Sequence, residues 1–224
     1  MTPDRSDADS TVPSRGVEPA GESVAGWPVP LTGVTETIVA TRTPDGRWNQ
    51  AALGVHGPDA SSGKSGSSSE RTVTARTWGQ TRTRRAFERS GSGYVQCTRD
   101  PIDFVAAALS VHETDEPILD RSGAWARVEA TEVGRTDDDG TEVVEWRLDP
   151  TAAAVRERIV PSLDRGRAAV VEATVAASRI GVDGYDPDEL RERLGWLASV
   201  VDRCGSERDA VAFERIDELT SWRD

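Results

Sequence analysis

The sequence predicts an α+β protein, a β-barrel core carrying a C-terminal helical layer. Three observations lead there. Turn-punctuated runs with two-residue alternation fill the chain up to residue 149. Strong helix starts and apolar stripes at helical spacing dominate after Pro150. Strands come first and helices after, which argues against alternating βαβ units. With 224 residues, the chain is long enough for one large domain or one domain with an appendage.

Residues 1–28 are rich in Asp, Ser, Pro and Gly and hold few apolar side chains, so they read as a disordered tail. The barrel core is expected over 29–149. Its first hairpin pairs Thr35–Arg42 with Trp48–His56 around Pro44-Asp45-Gly46, a composition that favours a tight turn. Residues 58–71 form a Ser/Gly-rich flexible loop. The Gly63-Lys64-Ser65 run inside it lacks the upstream glycine of a phosphate loop. Thr72–Gly79 and Gly93–Thr98 read as strands. Asp100 caps a helix opened by Pro101, with Asp103 at the third position. Phe104, Ala107, Ala108 and Val111 make the apolar face of that helix. A second hairpin, Ala124–Arg135 with Glu142–Leu148, turns around Asp137 to Gly140.

The helical extension is expected over 150–224. Thr151–Val160 reads as helical until Pro161, and Leu163–Ile180 as a long helix with small residues on several faces. Asp186-Pro187-Asp188-Glu189 is a helix start with Glu189 in capping-box position. Leu190, Leu194, Leu197 and Val201 form the stripe that follows, and Gly205 ends it. Glu207–Leu219 closes the chain as an amphipathic helix carrying Val211, Phe213 and Ile216.

Charge and composition limit the function. A net charge of -12 argues against a nucleic-acid partner, because phosphate backbones need a basic face. Lys64 is the only lysine, and acids outnumber bases. This pattern suggests a halophilic protein from a salt-rich cytoplasm, with an arginine-favouring GC-rich genome as the alternative. Cys97 and Cys204 make neither a disulfide framework nor a zinc site, and His56 and His112 are too few for a histidine-based metal site. No apolar run of about 18 residues suggests a membrane span, and no apolar leader is evident. The expectation is a cytoplasmic protein with no metal, no nucleic acid and no membrane partner.

Three segments could carry chemistry. In the strand Asn49–Val55, Ala51 and Ala52 leave a backbone bare enough for a planar ring to approach, and Asn49 offers donor and acceptor. A strand packed under a helix would look the same. In Gly79–Arg85, Thr81 and Thr83 alternate with Arg82, a set suited to a phosphate, and equally to a solvated turn. In Arg165–Arg179, Glu172 and Arg179 share a helix face two turns apart and suggest a structural pair. Trp48 and Trp78 are candidates to flank a ring. No catalytic acid or base is readable.

Taken together, Gly33–Thr41, Asn49–Val55, Thr81-Arg82-Thr83, Asp100-Pro101 with Phe104, and Ala168–Arg179 resemble domain-of-unknown-function family 447, an archaeal group. The resemblance covers about residues 31–220. It implies an FMN-binding split β-barrel with a C-terminal helical extension, assembled as a homodimer with FMN at the subunit interface. By that resemblance Asn49, Ala51, Ala52 and Leu53 lie along the isoalloxazine ring, and Thr81, Arg82 and Thr83 hold the phosphate. Gln96 stands where the family carries an asparagine and joins the cofactor residues. The family's Ala-Ala-Pro-Met-Gly appears here as Ala51-Ala-Leu-Gly54. The implied function is a flavin-dependent oxidoreductase of unknown substrate and redox partner. A non-enzymatic flavin-binding or sensing module is the alternative, and a deazaflavin or haem is the alternative ligand.

Overall fold

The hairpin read from Pro44-Asp45-Gly46 is the centre of the sheet. In the computed structural model, which describes residues 19–58, 72–138, 140–160 and 162–223, β2 (Val34–Arg42) pairs with β3 (Trp48–His56) along its whole length, from Val34↔His56 to Arg42↔Trp48. Gly46 takes the turn at φ +91°, a conformation that side-chain-bearing residues rarely adopt. A three-residue strand, β1 (Glu22–Val24), precedes this hairpin. After it come β4 (Thr74–Trp78), α1 (Arg82–Ser90), β5 (Ser92–Thr98), α2 (Pro101–Leu109), β6 (His112–Thr114), β7 (Ser122–Asp138) and β8 (Thr141–Val155). The chain ends in α3 (Arg165–Ala177), α4 (Pro187–Cys204) and α5 (Glu207–Thr220).

Six strands close in the order β8-β4-β3-β2-β5-β7, and β7 pairs back to β8, giving an antiparallel barrel. Its interior is filled by alternate residues such as Val39, Leu53, Val55, Val95, Val128, Val144 and Leu148. Trp146 is the largest member. It meets Phe87 of α1 edge-on at 5.3 Å, and its indole N–H donates to Thr77 Oγ1 at 2.9 Å. A second core lies among the helices, built from Ala173 and Val170 of α3, Leu194, Leu197 and Val201 of α4, and Phe213 and Ile216 of α5.

Helix α2 joins the two layers. Asp100 Oδ1 accepts from the Ile102 and Asp103 amides, as the Asp-Pro start predicts. Phe104 and Ala107 press on Ile38 of the barrel wall, while Val105 enters the helical core. Asp100 Oδ2 is also paired with Arg208 of α5, which ties the barrel end to the last helix.

Several expectations are corrected. Thr151–Val155 is not helical: β8 runs through Pro150 to Val155, so the barrel extends past residue 149. The register against β7 steps from Val128↔Pro150 to Arg127↔Ala152, leaving Thr151 as a bulge that accommodates the proline. Ala153 and Ala154 then pack in the barrel and against Trp125, so tertiary burial overrides their helix propensity. Residues 22–24 of the expected tail form β1 on the free edge of β8, and Trp125 donates to the Ala20 carbonyl at 3.2 Å. Residues 1–18 and 59–71, expected to be tail and flexible loop, lie outside the described residues.

Helix α1 went unread because its first turn looks like a charged loop. Thr81 caps it through the Arg84 amide, and Gly91 ends it in the left-handed region. Val111 and Val211, expected on apolar helix faces, are exposed; α2 stops at Leu109. Glu172 does not pair with Arg179. It is exposed and meets Arg193 of α4, while the Arg179 guanidinium lies 5.1 Å from the Tyr185 ring. At the Asp186 start, Glu189 contributes its amide; the reciprocal capping box forms at Ser206 and Asp209 instead.

Gly166 shows how tightly the helical layer is built. A Cβ there would overlap Gly205 Cα and stand 3.1 Å from the Cys204 carbonyl. Gly166→Ala is therefore expected to lower stability by about 2 kcal/mol through overpacking, read as a fall in thermal midpoint.

Candidate functional site

The small strand does reach a cleft. The outer edge of β3 is shared by two short partners. Trp48–Gln50 pair with β6, and Val55 and His56 pair with β4. Ala51, Ala52, Leu53 and Gly54 therefore have no strand partner on that edge among the described residues. Backbone donors and acceptors left open in a strand need partners from elsewhere. Ala51, Ala52 and Gly54 carry small side chains or none, so the edge is reachable.

A cavity of about 350 Å³ lies against this gap, within the size range of small-molecule sites. Its floor is Asn49–Gly54. One wall is Trp78 with the start of α1, contributed by Thr81, Arg82 and Thr83; the other is Ala107 and Ala108 of α2 with Ser110 and Val111 just after it. Seven of the eight residues expected to bind a cofactor thus converge: Asn49, Ala51, Ala52, Leu53, Thr81, Arg82 and Thr83.

The α1 wall is a helix N-terminus. Thr81 Oγ1 takes the Arg84 amide at 3.1 Å, and the Arg85 amide reaches the Thr81 carbonyl. The Arg82 and Thr83 amides have no acceptor within the helix, so this end is suited to an anion. The Arg82 guanidinium is held by Glu113 of β6, and Glu113 also meets Arg47 at 3.5 Å. Arg84 plays no part in the opening. It is buried, and bonds Glu88 at 2.9 Å, Glu142 and the Gly79 carbonyl, which fastens α1 to the start of β8. Arg135, then Arg84, hold the Glu142 carboxyl below its ordinary range.

Gln96 is the exception. It faces outward from β5 but is fully buried beneath the 117–122 segment. Its amide donates to Gln50 Oε1 at 2.7 Å and to the Pro117 carbonyl at 3.1 Å; its oxygen accepts from the Leu119 amide at 2.7 Å and from Ser122 Oγ at 2.9 Å. It does not line the cleft. Its hydrogen bonds brace the 117–122 segment against Gln50.

Of the two tryptophans expected to flank a ring, only Trp78 lines the cleft, half exposed. Trp48 packs edge-on against Tyr94 at 5.4 Å. Sequence reading missed the α2 wall, whose only local sign is an apolar Val111 just beyond the helix end. Among the described residues no carboxylate, histidine or cysteine lines the cleft. Glu36, opposite Gly54 in the sheet, has its carboxyl pushed up by burial and by Glu172. Burial, then Arg76, pushes the His56 imidazole down. Burial also pushes the Cys97 thiol up to about 11, so it is a poor nucleophile at neutral pH. Among the described residues no cluster of His, Cys, Asp and Glu suits a metal ion, and no helix is long and apolar enough to cross a membrane.

Residues 35–157 match the N-terminal domain model of the protein family of unknown function DUF447, and residues 164–218 match a second model of the same family. The chain belongs to the DUF447 family. The two matches divide it where the structure does, between the barrel ending in β8 and the helices beginning with α3. An FMN-bound DUF447 protein from Methanosarcina mazei shares the fold, with a TM-score of 0.67 at 23% identity over 85% of this chain and 96% of that one. Two remoter likenesses are the styrene monooxygenase flavin reductase of Pseudomonas putida S12 and a flavoredoxin from Methanosarcina acetivorans. Their TM-scores are 0.37 and 0.38 at 14% and 13% identity, covering 56% and 60% of this chain and 81% and 76% of theirs. No curated protein matches the chain. The DUF447 fold seen here is a split β-barrel with a C-terminal helical extension.

Proposed function

We propose that this DUF447 protein binds FMN in the cleft beside Ala51–Gly54 and works as a flavin-dependent oxidoreductase. The observation that carries the proposal is the unpaired edge of β3 facing the N-terminus of α1 across one cavity. The edge supplies backbone groups in a row for the heteroatoms of a flat ring, with Ala51, Ala52 and Gly54 keeping side chains out of the way. The free amides of α1, with Thr81, Thr83 and Arg82, suit a phosphate. The relative from Methanosarcina mazei is FMN-bound, which is why FMN is preferred to another planar cofactor.

FMN, when bound, supplies the redox chemistry. The chain's own residues orient it, hold its phosphate and keep the ring partly dry under α2. Because the described residues of the cleft offer no acid or base, the reaction best suited to it is electron or hydride exchange with a small redox partner. The same absence favours the second reading, a flavin-binding module without turnover.

The purified protein should show flavin absorption bands released on denaturation, or acquire them with added FMN. A colourless protein that takes up no FMN in high salt would refute the assignment. Bleaching of bound FMN by NADH or NADPH, with reoxidation by an acceptor faster than by oxygen, separates the enzyme from the sensing module.

We further place the protein in a salt-rich cytoplasm as a homodimer. The acidic, arginine-dominated composition supports the first. The second is supported by Ile159, Val160 and Leu163, which are exposed ahead of α3, with Ile159 beside Ala168 and Val171. Light scattering should give twice the chain mass, and Leu163→Asp should reduce it to the monomer value.

A further inference from the structure

A second cavity, of about 510 Å³, adjoins the first and shares Asn49 and Arg82 with it. Its roof is one face of α1, where Arg82, Arg85 and Arg89 recur at helical spacing. Its floor is the end of β2 and the turn into β3, including Arg42. Four guanidiniums thus line one hollow in a chain of net charge -12.

The carboxylates facing them are Asp45 and Glu113. Glu113 is taken up by Arg82 and Arg47. Asp45 sits in the exposed turn, its carboxyl held below the ordinary range chiefly by the Thr43 hydroxyl. Among the described residues no carboxylate forms an ion pair with Arg42, Arg85 or Arg89. Arg89 donates to the Arg42 carbonyl, and the Arg42 guanidinium lies 5.3 Å from the Trp48 ring.

We propose that this cavity binds a second, phosphate-bearing ligand, distinct from the flavin. The guanidiniums of Arg85, Arg89 and Arg42 bind its phosphate oxygens. The shared Asn49 and Arg82 place such a ligand against the FMN cleft, so a phosphorylated redox partner anchored here can reach the flavin. The anion site itself does not depend on the FMN reading, because its residues stand whether or not the cleft is filled.

The test is calorimetric titration of inorganic pyrophosphate at low salt into the full-length protein, with and without FMN, against chloride at equal ionic strength. Saturable one-to-one binding is expected, unchanged by FMN and weakened about ten-fold or more in Arg85→Ser. Arg85→Ser should melt near the unaltered protein. Absence of saturable binding, or equal binding in Arg85→Ser, overturns the proposal. So does displacement of FMN by pyrophosphate, which would make this hollow the flavin's own phosphate seat. Pyrophosphate binding by a protein that refuses FMN would sink the flavin assignment and leave this site standing.

Discussion

Gln96→Leu is expected to destabilise the protein by about 3–4 kcal/mol, lowering the thermal midpoint by roughly 6–15 °C. The side chain is fully buried and makes four hydrogen bonds, two given and two accepted. Leucine has a similar volume and removes all four. The Leu119 amide and Gln50 Oε1 would then be buried without partners, and each such group costs about 1–3 kcal/mol. Gln50 also donates to Thr114 Oγ1 at 2.8 Å, so this network holds β6 and the loop after it against the barrel.

The same substitution tests a correction of role. A glutamine touching the ring would, when replaced, cost flavin affinity and little stability. A bracing glutamine costs stability, while the folded protein, assayed well below its midpoint, still takes up FMN. Urea melts and FMN titrations on one preparation distinguish the two. A loss of FMN affinity with an unchanged midpoint would return Gln96 to the cofactor site.

Much of the fold was legible because its determinants are local. Pro44-Asp45-Gly46 marks the first hairpin, and Asp100 and Asp186 mark helix starts, since turns and caps are decided within a few residues. What escaped depends on partners far along the chain. Ala152–Ala154 have helix-forming side chains, and only contact with Trp125 and the barrel interior makes them strand. The first turn of α1 is a row of arginines and threonines, and its helical character rests on Phe87 meeting Trp146 across the barrel. Glu172 took Arg193 of the neighbouring helix over the residue two turns away on its own. The site divides in the same way. Ala51, Ala52 and Thr81–Thr83 were readable as small or hydroxyl-bearing residues. That β4 and β6 would leave a gap over four residues of β3, and that α2 would end beside it, follows only from the closed sheet.

Arg82→Ala is expected to weaken FMN binding by about 2–3 kcal/mol, roughly 30- to 150-fold, with a far smaller effect on stability. Arg82 is half exposed, and its ion pair with Glu113 contributes about 1 kcal/mol or less at such a surface. Toward a phosphate the same guanidinium acts from the first turn of α1, where its charge adds to two amides with no acceptor within the helix. Removing it also leaves Glu113, which stands outside the cleft lining, with only Arg47 against its charge. Glu113→Gln separates these effects. If the loss comes from the missing cation, Arg82→Ala stays weak in the Glu113→Gln background. If it comes from the freed carboxylate, Glu113→Gln restores most of the affinity. Riboflavin, which lacks the phosphate, should bind the unaltered protein and Arg82→Ala about equally. A similar loss for both ligands would move Arg82 from the phosphate to the ring, and with it the orientation of FMN in the cleft.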